Sequence, residues 1–124
     1  MRTQRWTVTV GWVCLLVVSL GILGFGLVVT IAPMGPGELI YRADGLASIG
    51  FGLFGGMLTL VPYRRRERWA WGVLWFYPVF WTVHLVGGLP PGKDHIHQIV
   101  FIALSLVGLL VPVRAFFPPR EANA

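Results

Sequence analysis

Histidine and aspartate residues stand at the ends of long apolar stretches, where they could bind a ligand, a metal ion or a proton. The segment KDHIHQ carries Asp94, His95 and His97, and His84 lies shortly before it. Asp44 opens another apolar stretch. An ionisable side chain left unpaired inside a membrane costs about 3 kcal/mol on insertion scales, so such residues indicate a function.

Three kinds of chemistry fit these residues. A divalent metal could be bound by the histidines with one of the aspartates, since imidazole suits Zn, Cu, Fe and Ni. Haem b could be ligated by His84 and His97 from two facing helices. Acid–base catalysis on a lipid-soluble substrate could use His84 with Asp44.

Aromatic residues extend the candidate site. Tyr77, Trp81 and His84 are spaced i, i+4 and i+7, so they share one helix face. Pro78 leaves the Leu74 carbonyl without its usual partner and predicts a kink that opens space there. The candidate ligand or metal site comprises Asp44, Tyr77, Trp81, His84, His95 and His97.

A structural interpretation of the same residues needs no ligand. Asp44 and Asp94 both stand at predicted helix starts, where aspartate is a favoured N-cap. A neutral His84 could bond to Asp44 or to a loop carbonyl. The sequence favours this interpretation and no cofactor, with haem b or a divalent metal as the alternatives.

The elements that would position these residues are apolar helices. Of 124 residues, 56% are hydrophobic and only 12% are charged, whereas soluble domains have about 25% charged residues. Runs free of charge are long enough to span a bilayer, and prolines punctuate their ends. The predicted spans lie near 8–32, 44–62, 68–88 and 95–112. We therefore expect a single transmembrane domain, 1–124, of the all-α class: an integral membrane four-helix bundle.

The distribution of Lys and Arg predicts the orientation. Eight of the ten cations would lie on one side of the membrane: Arg2, Arg5, Arg64, Arg65, Arg66, Arg68, Arg114 and Arg120. By the positive-inside rule both termini are cytoplasmic, which suits a multi-pass protein of the bacterial cytoplasmic membrane. The same rule explains the net charge of +5 without nucleic-acid binding. Arg64, Arg65, Arg66 and Arg68 are expected to contact lipid head groups.

Small residues predict how the helices pack. Ser48, Gly52 and Gly56 form a ladder with a spacing of four residues, and small residues let membrane helices approach closely. The ladder is expected to face the first span or a second copy of the chain. Asp44 falls on the same stripe and is expected to point into the bundle.

Two segments resemble a known type of protein: PYRRRERWAWGVLWFYPVFWTVH, and the close of the last span, VPVRAFFP. They resemble small uncharacterised four-span bacterial membrane proteins that are loosely DoxX-like, over residues 44–118. The resemblance implies a bacterial cytoplasmic membrane and a four-helix bundle. It brings no functional motif to these residues.

The sequence contains no P-loop, CxxC, HExxH or GxSxG motif. This favours an accessory or interaction subunit, or a homo-oligomer, without catalytic activity of its own. Its expected partners are the lipid bilayer and another copy or a larger membrane complex. The alternative is a membrane-embedded ligand-, metal- or haem-binding protein, or an enzyme on a hydrophobic substrate, with a His/Asp site near the outer face.

Overall fold

The computed structural model describes residues 2–33, 35–88 and 95–119. Within them the chain is helical and has no β-strand, as predicted. The helices are α1 (Arg2–Ile31), α2 (Glu38–Leu58), α3 (Arg68–Leu74), α4 (Phe76–Gly87), α5 (Ile96–Leu110) and α6 (Val113–Phe116). A π-helical turn, Thr59–Tyr63, extends α2.

Three segments are long and apolar enough to cross a membrane: Arg2–Ile31, Glu38–Tyr63 and Ile96–Phe116. The predicted third span, 68–88, is instead divided at Trp75 into α3 and α4. Pro78 has no N–H to offer the Leu74 carbonyl, and the next bond, from Val79 N–H to the Trp75 carbonyl, is 3.4 Å long. The interruption thus lies one turn before Pro78, where the missing donor leaves a gap.

The second helix begins well before the predicted start at residue 44. Gly37 has a φ of 98° and precedes Glu38, the first residue of α2. Glu38 lies in the first turn, where the helix dipole favours an acidic side chain, and pairs with Arg42 at 2.5 Å. The helix therefore begins before the apolar run, with Glu38 and Arg42 in its first turns. The predicted N-cap at Asp44 is wrong, because Asp44 is inside α2; Asp94 lies outside the described residues.

Pro62 reshapes the end of this helix. The backbone shifts to a π-helical turn, Thr59–Tyr63, and after this turn Glu67 N–H donates to the Pro62 carbonyl at 3.0 Å, five residues back. The turn directs Tyr63 into the interior, where its side chain is fully buried. The Tyr63 hydroxyl donates to the Gly108 carbonyl and so joins the end of α2 to α5.

The three long segments, together with α3 and α4, contribute to one hydrophobic core. This core includes Leu15, Ile22, Tyr63, Leu74, Trp81 and Leu109, with Phe51 packed against it. Helix α1 contacts both α2 and α5, and α4 packs on α5. Phe51 joins α2 to α4 through ring contacts with Tyr77 at 5.1 Å and Phe80 at 4.9 Å. We call these packed segments the bundle.

Small residues bring α1 and α2 into backbone contact. Ser48 and Gly52 are buried in this contact, and a Cβ on Gly52 would lie 2.7 Å from the Ser19 carbonyl oxygen. Gly56 is at the side of the contact, since a Cβ there would lie 3.7 Å from Ser19 Cβ. The ladder is therefore used within the chain.

The cationic segments meet at one end of the bundle. The Arg64 guanidinium lies 5.0 Å from the Trp12 ring centroid, and Arg68 Nε donates to the Phe116 carbonyl at 3.0 Å. Arg114 lines a cleft with residues from the start of α1. We call this the arginine end, and the opposite end, which carries His84 and His97, the histidine end.

Candidate functional site

His84 lies in the last turn of α4, half-buried. Its Nδ1 is 2.9 Å from the Phe80 carbonyl oxygen of the same helix. Because a carbonyl only accepts, Nδ1 carries a proton. A backbone partner on Nδ1 fixes the tautomer and leaves Nε2 to meet a proton, a donor or a metal ion.

Trp81 brings the histidines of two helices together. Its ring centroid lies 5.8 Å from that of His84 on α4 and 5.8 Å from that of His97 on α5. It also stacks on Phe101 at 5.0 Å, with the planes 25° apart. The structure thus unites three of the six predicted site residues in one aromatic cluster.

Two buried hydrogen-bond donors without a partner belong to Trp81 in this cluster and to Gln98 on α5. Gln98 is fully buried beside His97 in sequence, and its Oε1 is 3.1 Å from His95 Nδ1. Among the described residues, neither Gln98 Nε2 nor Trp81 Nε1 has a hydrogen-bond partner. An unpaired buried donor costs about 1–3 kcal/mol, so an acceptor that reached these groups would be bound.

Tyr77 shares the predicted helix face but serves a different purpose. Its hydroxyl lies 2.5 Å from Ser19 Oγ on α1. Ser19 donates its own proton to the Leu15 carbonyl at 2.9 Å, so the Tyr77 hydroxyl is the donor of the short bond. Tyr77 is therefore part of the core between α1 and α4.

Asp44 does not point into the bundle, contrary to expectation. Its side chain is exposed, whereas the next residue, Gly45, is buried. A Cβ on Gly45 would lie 2.9 Å from the Gly26 carbonyl oxygen, so Gly45 faces α1 and Asp44 faces outwards. His95 is also exposed and reaches the cluster only through Gln98.

Metal-binding side chains are sparse in this arrangement. No group of three or more His, Cys, Asp or Glu side chains that could hold a metal ion occurs in residues 2–33, 35–88 and 95–119. The cluster does contain two histidines, and His84 Nε2 is available as a ligand. Any metal or haem iron held here would be bound through these imidazoles.

The four arginines of the predicted lipid contact differ in their surroundings. Arg64 and Arg68 are held against the protein, the first over Trp12 and the second at the carbonyl of Phe116. All four arginines are exposed, but Arg65 and Arg66 have no side-chain hydrogen bond or ring contact with another described residue, and Arg66 has a φ of 62°. A positive φ is uncommon for a residue with a side chain. The loop therefore presents two guanidinium groups to the surroundings.

Comparisons with protein-family models, with curated proteins and with solved structures give no match to this chain. No residue role can be transferred from a relative. The resemblance to DoxX-like proteins stays a prediction. The site is interpreted from its own contacts.

Sequence reasoning missed Gln98, Ser19 and the hydroxyl of Tyr63. Each is a single uncharged polar group within an apolar run, and a search for charges passes over such groups. The signal that could have found them is the presence of a polar residue within an apolar run, since Ser, Thr and Gln side chains form hydrogen bonds between membrane helices. The sequence could not show that the hydroxyl groups of Ser19 and Tyr63 have hydrogen-bond partners while Gln98 Nε2 has none.

Proposed function

We propose that this chain is a multi-pass protein of the bacterial cytoplasmic membrane, with four spans and both termini in the cytoplasm. Three segments have the required length and hydropathy. The fourth span would run through α3, Trp75 and α4, which extend about 30 Å at 1.5 Å per residue. Arginines gathered at one end of the bundle support a cytoplasmic arginine end.

Single cysteines test this orientation. Arg66→Cys and Glu38→Cys, each on a Cys14→Ser background, place a thiol at opposite ends of the bundle. A membrane-impermeant thiol reagent added to intact cells should label the cysteine at 38 and spare that at 66. Equal labelling of both from one compartment would overturn the topology.

Within the membrane, the protein is proposed to act by association, as an accessory or interaction subunit or as a homo-oligomer, without catalysis of its own. The observation that carries this proposal is the set of partners bonded to the histidine and glutamate side chains. No histidine in the described part of the chain bonds to a carboxylate, and Glu38 and Glu67 are bonded to Arg42 and Trp69. An acid–base pair is thus missing from those residues.

Association would use a surface other than the glycine ladder, because α1 covers that ladder. Large apolar side chains remain exposed on α2, namely Leu53, Phe54 and Met57, and on α4, namely Phe76, Val79 and Val83. These surfaces suit either lipid or a partner helix.

Native mass spectrometry from lipid nanodiscs tests the association. We expect a defined oligomer, or a stable partner that co-purifies after mild extraction. A strict monomer that brings no other protein with it would contradict the proposal.

A second function is binding of a small lipophilic ligand, or of haem or a metal ion, at the histidine end. The unpaired N–H groups of Trp81 and Gln98 favour a ligand that carries a hydrogen-bond acceptor, whereas haem or a metal ion would be held by the imidazoles of His84 and His97. An absorption spectrum with metal analysis of the purified protein tests it. A Soret band or stoichiometric metal that His84→Ala removes would support this function. A protein without chromophore or metal, and without a co-purified small molecule, would count against it.

A further inference from the structure

A groove runs along the side of the bundle at its arginine end. It has a volume of about 430 Å³, within the range of roughly 300–1,000 Å³ typical of ligand sites. Its walls are formed by Phe54, Met57, Leu58 and Val61, with Glu67 and Trp69 lining the part next to the arginine loop. The apolar walls belong to a segment apolar enough to cross a membrane, Glu38–Tyr63.

A hydrogen bond joins Glu67 and Trp69 in the lining of the groove. Trp69 Nε1 donates to Glu67 Oε2 at 2.5 Å, which fixes the indole as a wall. Phe54 and Val61 are two turns apart, so the apolar part extends about 10 Å along the helix. A flexible hydrocarbon chain would fit such a channel, whereas a folded polar partner would not.

Cationic residues adjoin the same end in the chain, next to Glu67, which itself lines the groove. Arg65 and Arg66 directly precede Glu67 in the chain, are exposed, and have no side-chain hydrogen bond or ion pair with another described residue. Glu67 is the only acidic residue between Arg64 and Arg68, and its bond to Trp69 occupies one of its oxygens. The loop thus attracts an anion while the groove accepts an apolar chain.

We propose that the groove and these two guanidinium groups form a binding site for an anionic phospholipid of the surrounding leaflet. One acyl chain lies between Phe54, Val61 and Trp69, and the phosphate meets Arg65 and Arg66. Basic pockets between membrane helices on the cytoplasmic side suit anionic head groups. This proposal rests on the proposed membrane insertion and adds that one class of lipid is bound at a defined site.

Lipid retention measured by native mass spectrometry tests the site. The full chain is reconstituted in nanodiscs of phosphatidylcholine and phosphatidylglycerol in equal parts. We expect wild type to retain phosphatidylglycerol in preference to phosphatidylcholine. Arg65→Gln/Arg66→Gln should lower that preference roughly thirtyfold, because each of the two cations contributes about 1 kcal/mol near an anionic surface.

Arg2→Gln/Arg5→Gln is the matched control, since it removes the same charge from the same end of the bundle and should change the preference little. Val61→Trp and Met57→Trp fill the groove and should release the lipid, whereas Val86→Trp, on the exposed side of α4, should not. Circular dichroism confirms that each variant is helical.

Equal losses from both arginine pairs would mean general attraction to an anionic surface and would overturn the site. Unchanged retention in both tryptophan variants of the groove would overturn it as well. Displacement of the lipid by glycerol phosphate alone would mean that the loop binds a soluble anion, and it would overturn the lipid site. Failure of wild type to enter nanodiscs would overturn the membrane proposal itself.

Discussion

The hydroxyl oxygens of Ser19 on α1 and Tyr77 on α4 lie 2.5 Å apart in the buried interior of the bundle. A Cβ on Gly55 would collide with the Tyr77 hydroxyl, so a glycine of α2 provides the space for this bond. Three helices therefore meet at one polar contact, which fixes their relative rotation.

Removing this contact should destabilise the bundle. Tyr77→Phe leaves the Ser19 oxygen without a donor, and we expect a loss of about 1 kcal/mol, within the range measured for hydrogen bonds between membrane helices. Unfolding of the detergent-solubilised protein measures it. Ser19→Ala/Tyr77→Phe should cost less than the sum of the single changes. Strict additivity would show that the two hydroxyls do not interact.

Glycines of α2 should differ sharply in their tolerance of alanine. Gly52→Ala places a methyl group 2.7 Å from backbone atoms of α1, and we expect a loss of about 1–3 kcal/mol from overpacking. Gly50→Ala is the control, because a Cβ there meets nothing within 4 Å. Thermal unfolding of both variants compares them. Similar melting temperatures would contradict the proposed helix contact.

Gln98→Leu tests whether the side-chain amide of Gln98 binds a ligand or is only part of the protein interior. In the ligand-free protein it removes a buried unpaired donor, and we expect a gain in the free energy of unfolding of about 1 kcal/mol. Chemical unfolding before and after delipidation measures it. A loss of stability in the native membrane extract, with a gain after delipidation, would show that Gln98 holds a bound acceptor. A loss in both states would contradict the expected gain, because the lost contact of Gln98 Oε1 with His95 would then outweigh the unpaired Nε2.

Pro78→Ala should join α3 and α4 into a continuous helix. The new N–H can donate to the Leu74 carbonyl, and the net gain of one hydrogen bond is about 1 kcal/mol. Hydrogen exchange by NMR should show a protected amide at residue 78 and stronger protection around Val79. Rapid exchange at both positions would mean that the break at Trp75 has another cause.

Helix α5 and most of α1 follow from charge-free apolar runs, so the sequence is sufficient to predict them, although α1 begins at Arg2 and not near residue 8. The start of α2 was misplaced because its first turns carry Glu38 and Arg42, and a helix need not end where its apolar run ends. The break at Trp75 follows from Pro78, but its division of the span into two helices depends on local backbone geometry.

The site was predicted only in part. Trp81 and His84 share a face by helical spacing, and the structure adds His97 from α5. Asp44 was placed wrongly because a repeat of four residues drifts around a helix of 3.6 residues per turn. The buried line on α2 runs through Gly45, Ser48, Gly52 and Gly55, and Asp44 and Gly56 lie about 60° to either side of its centre.

Helix α1 is the longest element, with 30 residues, or about 45 Å. Its buried positions extend from Val8 to Val29, a length of about 32 Å that matches a hydrocarbon core of about 30 Å. Arg2, Arg5 and Trp6 are exposed beyond it, at the depth where charged and indole side chains anchor a helix. Under the proposed insertion, the buried length of α1 sets the bilayer thickness that the chain matches, and a thinner membrane would require the helix to tilt or the lipid around it to thicken.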